Sequence, residues 1–336
     1  PTRMFRHPFG TVFAGADTPE TPTFNAFTYW LYDDMNQLGL GHFISACRRK
    51  IGLEPSIKGH TVNKQSVLRA WNIPVVGIWS PNLLPRPDDW YENVVVVGSV
   101  DRTGGLPDLP EDLVAFCNEG DEQPVFFGFG PGSMANEQVL KRSWQAAVGA
   151  ATELGCRAIF HITPQQRHYL PEQLPPGCFL LQRGVPHSEL FKLCRVCVHH
   201  GGPGTLHAAL RAGKPNCIVS FVCDNPFWGD RLSKVGVGSH VPSAEVTKEK
   251  LLACLRKLDD PAVEKACKAM QKKMLAEPAA TDVLVKELYA RLPPTPVDYE
   301  ALIAPLPRMS LINLHNILGG SISAILAAGV AVYFAR

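Results

Sequence analysis

The feature that most constrains this chain is an alternation that sets in at Pro124. Val125-Phe126-Phe127 is an apolar run that gives way at once to Gly128-Phe129-Gly130-Pro131-Gly132-Ser133. Helical patterning follows from about Ala135 to Leu154 and is closed by Gly155. Further apolar runs at Arg157–Ile162, Cys178–Leu181, Val196–His199 and Cys217–Val222 alternate with helical stretches near Ser188–Cys194 and Gly204–Ala212. Strands that read as continuous apolar runs are buried on both faces, and their alternation with helices predicts a parallel sheet covered on both sides. Helical patterning resumes at Thr247–Leu258 and again to Leu292, so residues 113–292 are expected to form one doubly wound α/β domain.

The flanks differ. Residues 1–112 are broken: an amphipathic stretch near Phe27–Arg49, then short apolar runs at Ile73–Trp79 and Val94–Val97 around a Pro-rich segment, Ser80–Trp90. That pattern suits part of an α/β domain. Pro293-Pro294-Thr295-Pro296 opens a linker over 293–308. Beyond it, residues 309–336 are apolar, and the 18 residues Ile317–Phe334 carry no charge, close to the ~20 that span a bilayer. This tail reads either as a membrane segment or as a helix packed on the protein or at an interface.

Composition narrows the function classes. With 33 Lys+Arg against 31 Asp+Glu the chain has no basic excess for nucleic acid, and 46% hydrophobic residues are ample for a core. The 10 cysteines are too sparse for a disulfide scaffold, and no Asn-x-Ser/Thr acceptor occurs, so thiols in a reducing compartment are expected. Cys194 and Cys197 form a lone CxxC without a second pair at zinc spacing, so no metal site is expected.

The sharpest chemical signal is Val198-His199-His200-Gly201-Gly202-Pro203-Gly204-Thr205, between an apolar strand and a helix. The first N–H groups of a helix lack internal partners and carry partial positive charge, and glycines let a phosphate approach the backbone. A diphosphate fits such a turn, with Thr205 offering a hydroxyl and a histidine a ring N–H. The segment is neither a Walker loop nor a GxGxxG fingerprint, and taken alone it could be only a tight turn.

With its surroundings, this segment resembles the UDP-dependent glycosyltransferases of the two-lobed GT-B type, and among them the sterol 3-beta-glucosyltransferase branch. The resemblance rests on that turn and on Phe221-Val222-Cys223-Asp224-Asn225-Pro226-Phe227-Trp228-Gly229-Asp230-Arg231 through Val235-Gly236-Val237-Gly238. It rests also on Gly128-Phe129-Gly130, Ser133-Met134, Val185-Pro186-His187, Trp79-Ser80-Pro81, Glu92-Asn93-Val94 and Phe5, His7 and Pro8, covering most of Pro1–Leu292. It implies a GT-B-like α/β fold of two Rossmann-like doubly wound lobes, the N-terminal acceptor lobe incomplete over 1–112, the donor lobe at 113–292, and an apolar C-terminal helix.

Residue by residue, the resemblance implies that His200, Gly202, Gly204, Thr205 and Ser133 face the donor diphosphate, with His199 the lesser candidate. The backbone at Val185 would border the uracil, and Asp224 and Asn225 would hold sugar hydroxyls. Trp228 reads equally as packing or acceptor contact, and His161, His168 and His187 as packing or loop residues. Four departures bear on donor affinity: Asn225 where Gln is usual, Pro203 lacking an N–H, Pro131-Gly132 as an insertion, and no Gly-Trp-Gly-Gly near Phe160–Gln166. The general base would belong to the early part of the acceptor lobe, so no catalytic base is named.

The implied activity is inverting transfer of glucose from UDP-glucose to a sterol 3-hydroxyl or similar membrane lipid. It would occur at the cytoplasmic face of a membrane, with no cofactor or metal beyond the co-substrate and no nucleic-acid partner. A nucleotide-sugar-binding subunit that needs a partner for turnover stays open, as does a two-lobed sugar epimerase.

Overall fold

The computed structural model describes residues 3–9, 21–53, 73–100, 108–130 and 136–292, and these fall into two units. The first holds the described residues of Pro1–Gly77, Arg86–Val95 and those from Leu284 onward; the second holds Ile78–Pro85 and Val96–Val283. The 293–308 linker and the apolar tail at 309–336 lie outside the described residues. Among the described residues no helix is long and apolar enough to cross a membrane.

In the first unit, α1 (Pro22–Lys50) begins where the Thr21 hydroxyl accepts the Phe24 N–H at 3.2 Å and Pro22 takes the first helical turn. The expected helix forms, but its described apolar side chains are not all buried. Phe27, Phe43 and Ile44 are exposed while Asn25 and Thr28 are buried. Each of the pair is held by a hydrogen bond to the N-terminal segment, which offsets part of the cost of burying it. Asn25 Nδ2 donates to the Arg3 carbonyl at 3.1 Å, and Thr28 Oγ1 accepts from the His7 N–H at 2.8 Å. β1 (Val75–Gly77) and β2 (Val94–Val96) pair in a two-stranded sheet. The Pro-rich turn ahead of β2 is tied by Arg86, whose guanidinium donates to the carbonyls of Pro87, Trp90, Tyr91 and Val94.

The second unit carries α2 (Glu111–Asn118), β3 (Val125–Gly128), α3 (Glu137–Leu154), β4 (Ala158–His161), β5 (Cys178–Leu181), α4 (His187–Leu190) and β6 (Val196–His199). It continues through α5 (Pro203–Arg211), β7 (Asn216–Ser220), α6 (Asn225–Lys234), β8 (Gly238–Pro242), α7 (Lys248–Leu258) and α8 (Pro261–Leu275). Its six strands are all parallel in the order β5-β4-β3-β6-β7-β8. This is the doubly wound arrangement in which the chain runs outward from β3 to one edge, returns, and runs outward again from β6.

The strand period of two explains why both sheet faces are apolar. Val125 and Phe127 enter one buried cluster with Trp144, Phe160, Val198 and Val219, while Phe126 between them enters another with Ile159, Phe191 and Cys197. The helices that cover the sheet are capped by their own sequence: Asn136 accepts the Gln138 N–H at 2.9 Å, and α3 ends at Gly155 with φ 60°. Cys194 and Cys197 are both buried in the second cluster, where burial pushes both thiols up. All ten cysteines are free thiols.

Two elements go beyond the sequence expectation. α6 occupies residues read there only as a motif, and β8 begins at the last of them, Gly238. α6 starts with Asn225 and Pro226 in its first turn, and β8 is an edge strand whose Ser239 and His240 interrupt any apolar run.

Candidate functional site

Open α/β sheets bind ligands at the carboxyl ends of their strands where the strand order reverses. Here that point lies between β3 and β6, whose last residues Gly128 and His199 are register partners. Both glycine-rich turns leave the sheet there, side by side. A Cβ on Gly130 would lie 3.3 Å from His200 Cε1, so the His200 ring rests against the first turn. Gln166 Nε2, from the short helical segment Pro164–Tyr169, donates to the Gly130 carbonyl at 3.3 Å and steadies that turn from the other side. Ser133 lies outside the described residues.

The second turn is shaped by two close approaches. Gly201 has φ 95°, and a Cβ there would meet Ile218 Cγ2 at 2.8 Å. A Cβ on Gly202 would meet His200 Nε2 at 2.5 Å. Gly204 is different: it is exposed, and nothing lies within 4 Å of where its Cβ would be. α5 therefore opens with backbone facing free space. Leu206 N already bonds the Gly202 carbonyl at 3.1 Å and Pro203 has no N–H, so the helix-start donors without an intrahelical acceptor are Gly204 and Thr205. Thr205 is half-buried beside them.

The two adjacent histidines do different work. His199 is fully buried; its Nδ1 accepts the Gly201 N–H at 3.0 Å and its Nε2 faces Asn216 Oδ1 at 2.8 Å. A backbone N–H can only donate, so the ring proton sits on Nε2 and is given to Asn216. Asn216 Nδ2 in turn donates to the Lys214 carbonyl at 3.1 Å, which fixes that amide's orientation. Burial drives the His199 pKa down to about 3, so the ring is neutral and wholly committed. His200 by contrast has its Nδ1 buried with no hydrogen-bond partner among the described residues. Burial lowers its pKa too, opposed by the Gly128 backbone and the Asp224 carboxylate. A neutral imidazole still has one N–H to give to an anion.

Asp224 and Asn225 close the third side. Asp224 Oδ2 accepts from Trp228 Nε1 at 2.9 Å. Asn225 is buried; its Oδ1 accepts from the Val222 N–H at 3.3 Å, and its Cβ packs where Gly201 has no side chain. Asn225 thus braces the turn from inside, one layer behind Asp224. Trp228 is buried against Trp79, His207 and Phe227. Val185 is half-buried in the loop after β5, packed on the cluster of Leu190 and Phe191.

His187 Nε2 and His161 Nδ1 meet at 3.3 Å, and both rings stand edge-on to Phe126. Burial pushes the His187 pKa down to about 4, helped by His161 and His200, and lowers His161 as well. His168 sits at the surface, 3.9 Å from Glu137. No group of acidic, His or Cys side chains with metal-holding geometry occurs among the described residues. Sequence reasoning missed Gln166, and also a hydrogen-bonded chain from Ser220 through His240 to Asp230. Its three members stand on β7, β8 and α6, and no spacing in the sequence announces that they meet.

Comparison with known proteins agrees with this fold. Residues 145–290 match the family described as erythromycin biosynthesis protein CIII-like, C-terminal domain. A sterol 3-beta-glucosyltransferase of Arabidopsis thaliana is 31% identical over 296 residues, covering 87% of this chain and 44% of the relative. A second from the same plant is 30% identical, covering 87% and 46%. The chain therefore spans less than half the length of these relatives. Among solved structures, the glycotransferase of kitacinnamycin superposes with a TM-score of 0.59 at 18% identity, over 81% of this chain and 67% of that one. Spinosyn rhamnosyltransferase gives 0.52 at 21% identity, over 64% and 56%. The fold shared with these proteins is the GT-B type.

Proposed function

Residues 145–290 belong to the EryCIII-like C-terminal domain family of glycosyltransferases, and from that premise we propose that the protein moves glucose from UDP-glucose to the 3-hydroxyl of a sterol or similar membrane lipid, with inversion. The observation that carries the donor assignment is the meeting of His200, with its partnerless buried Nδ1, and the open start of α5 at the strand-order reversal. The diphosphate would lie against Gly202, Gly204 and Thr205, with Ser133 as a further phosphate contact. The uracil would lie along the backbone at Val185. The free oxygen of Asp224 would accept sugar hydroxyls, with Asn225 holding the turn that presents it.

In the reaction the acceptor oxygen attacks the anomeric carbon while the bond from that carbon to the diphosphate oxygen breaks on the opposite face. The acceptor proton passes to a base on the acceptor side. Negative charge grows on the departing diphosphate, where the helix-start N–H groups and the His200 ring would meet it, and such preorganised donors stabilise the transition state more than the ground state. The sterol acceptor is supported by the two plant relatives. Membrane association is supported by the uncharged stretch Ile317–Phe334, and the cytoplasmic face by the sparse free cysteines and the absence of an Asn-x-Ser/Thr acceptor in the sequence.

The test is glucosyl transfer from UDP-glucose to a sterol in detergent micelles, alongside calorimetric UDP binding on the same sample. Product with wild type and its loss in His200→Ala, with unchanged circular dichroism, is the expected result. Unchanged turnover in His200→Ala would refute the phosphate assignment. UDP binding without product in wild type would point to a nucleotide-sugar-binding subunit that needs a partner.

A further inference from the structure

Ser220, His240 and Asp230 form a continuous chain. His240 Nδ1 lies 2.9 Å from Asp230 Oδ1, and His240 Nε2 lies 2.8 Å from Ser220 Oγ. A carboxylate accepts, so Nδ1 carries a ring proton, and in the neutral ring Nε2 accepts from the Ser220 hydroxyl. The ring lies close against α6: a Cβ at Gly229 would lie 2.6 Å from His240 Cδ2 and Cγ. This order of groups serves nucleophilic catalysis elsewhere. Here Ser220 is only 4% exposed, so no substrate carbonyl reaches its Oγ, and the chain acts by position.

What it positions is the next turn. Ser220 ends β7 and is followed directly by Phe221-Val222-Cys223-Asp224. Cys223 has φ 59°, alone in the left-handed region among described non-glycine residues, a conformation costly for any residue with a Cβ. Such a turn persists only when its surroundings hold it at both ends. The far end is held by α6: Asn225 N donates to the Val222 carbonyl at 3.2 Å, Asn225 Oδ1 accepts the Val222 N–H, and Trp228 Nε1 binds Asp224. The near end is held by the same helix through Asp230 and His240 to Ser220.

We propose that Ser220, His240 and Asp230 are positioning residues that hold the strained Asp224 turn, and so set how well the transferred sugar is held relative to the nucleoside diphosphate. This rests on the donor-site reading above, in which Asp224 faces the sugar and His200 the diphosphate.

Binding of UDP and of UDP-glucose to the full chain, by titration calorimetry, separates the possibilities. Loss of one hydrogen bond in the chain is expected to cut the UDP-glucose to UDP affinity ratio roughly five- to tenfold in Ser220→Ala and Asp230→Ala, with UDP affinity nearly unchanged. Asp230→Asn, which keeps an acceptor for Nδ1–H, should restore the ratio. An unchanged ratio in both alanine variants, or an equal fall for both ligands, would overturn the positioning role alone. A wild-type protein that binds neither ligand would overturn the donor-site reading and the positioning role with it. Cys223→Gly loosens the turn without touching the chain: the ratio should fall with UDP affinity nearly unchanged, and an unchanged ratio would count against the proposal.

Discussion

Replacing His199 by Gln tests the division of labour between the paired histidines. Gln reaches the Nε2 position and keeps the hydrogen bond to Asn216, but leaves the buried Gly201 N–H without an acceptor, costing about 1–3 kcal/mol at pH 7. The pH dependence has a definite sign. The wild-type imidazole is held down to about 3 in the folded protein against about 6.5 unfolded, so the unfolded chain takes up the proton first. Its contribution is intact above pH 6.5 and lost as pH falls toward 3. Between pH 7 and 5 that loss integrates to about 2 kcal/mol. His187, held down to about 4, takes away a similar amount in the same window, but does so in both proteins.

The variant should therefore be the less stable protein at pH 7 and should nearly match wild type at pH 5. Urea unfolding followed by tryptophan fluorescence, to which buried Trp144 and Trp228 both contribute, would show this. With m about 2 kcal/mol/M, the gap in midpoint should shrink by about 1 M between the two pH values. A gap that stays constant or widens would refute the neutral, fully committed His199.

Three more expectations are open to direct measurement. Gly201→Ala forces a Cβ to 2.8 Å from Ile218 at φ 95° and should cost about 2 kcal/mol or more in thermal unfolding, whereas Gly204→Ala should leave stability within about 1 kcal/mol yet weaken UDP binding in calorimetry. Arg86→Met removes the donor to four carbonyls and should speed amide exchange over residues 87–94, with little change in β3–β8; uniform exchange would contradict its local role. Deletion of residues 309–336 should release the protein from floated liposomes, and equal flotation of both forms would exclude that tail as the anchor.

Much of the sheet was legible because buried parallel strands must be apolar throughout: Val125–Phe127, Val196–Val198 and Cys217–Val219 could hardly be anything else. The glycine turns were legible for a related reason, since Gly201 and Gly202 sit where a side chain would collide. β8 was not, because an edge strand tolerates Ser239 and His240. Nor was the burial of Asn225, which depends on the space left by Gly201, a residue from another turn. The exposed apolar side chains of α1 also escaped the pattern, because the buried face there includes Asn25 and Thr28, which are tied to the distant Arg3 and His7.

The strand order carries a consequence for how the protein is made. Neighbouring pairs on one side join Val125 to Ala158 and Ala158 to Cys178, but the central pair joins Val125 to Val196 across the whole of that first half. Long-range parallel pairing forms slowly because loop entropy is lost before contacts compensate. During synthesis the β3–β5 half is free to assemble while the β6–β8 half is still emerging. The ligand cleft comes into being only when the two halves dock along β3 and β6. A molecule that fits it would bind the docked state alone, and would draw newly made chains forward through their slowest step.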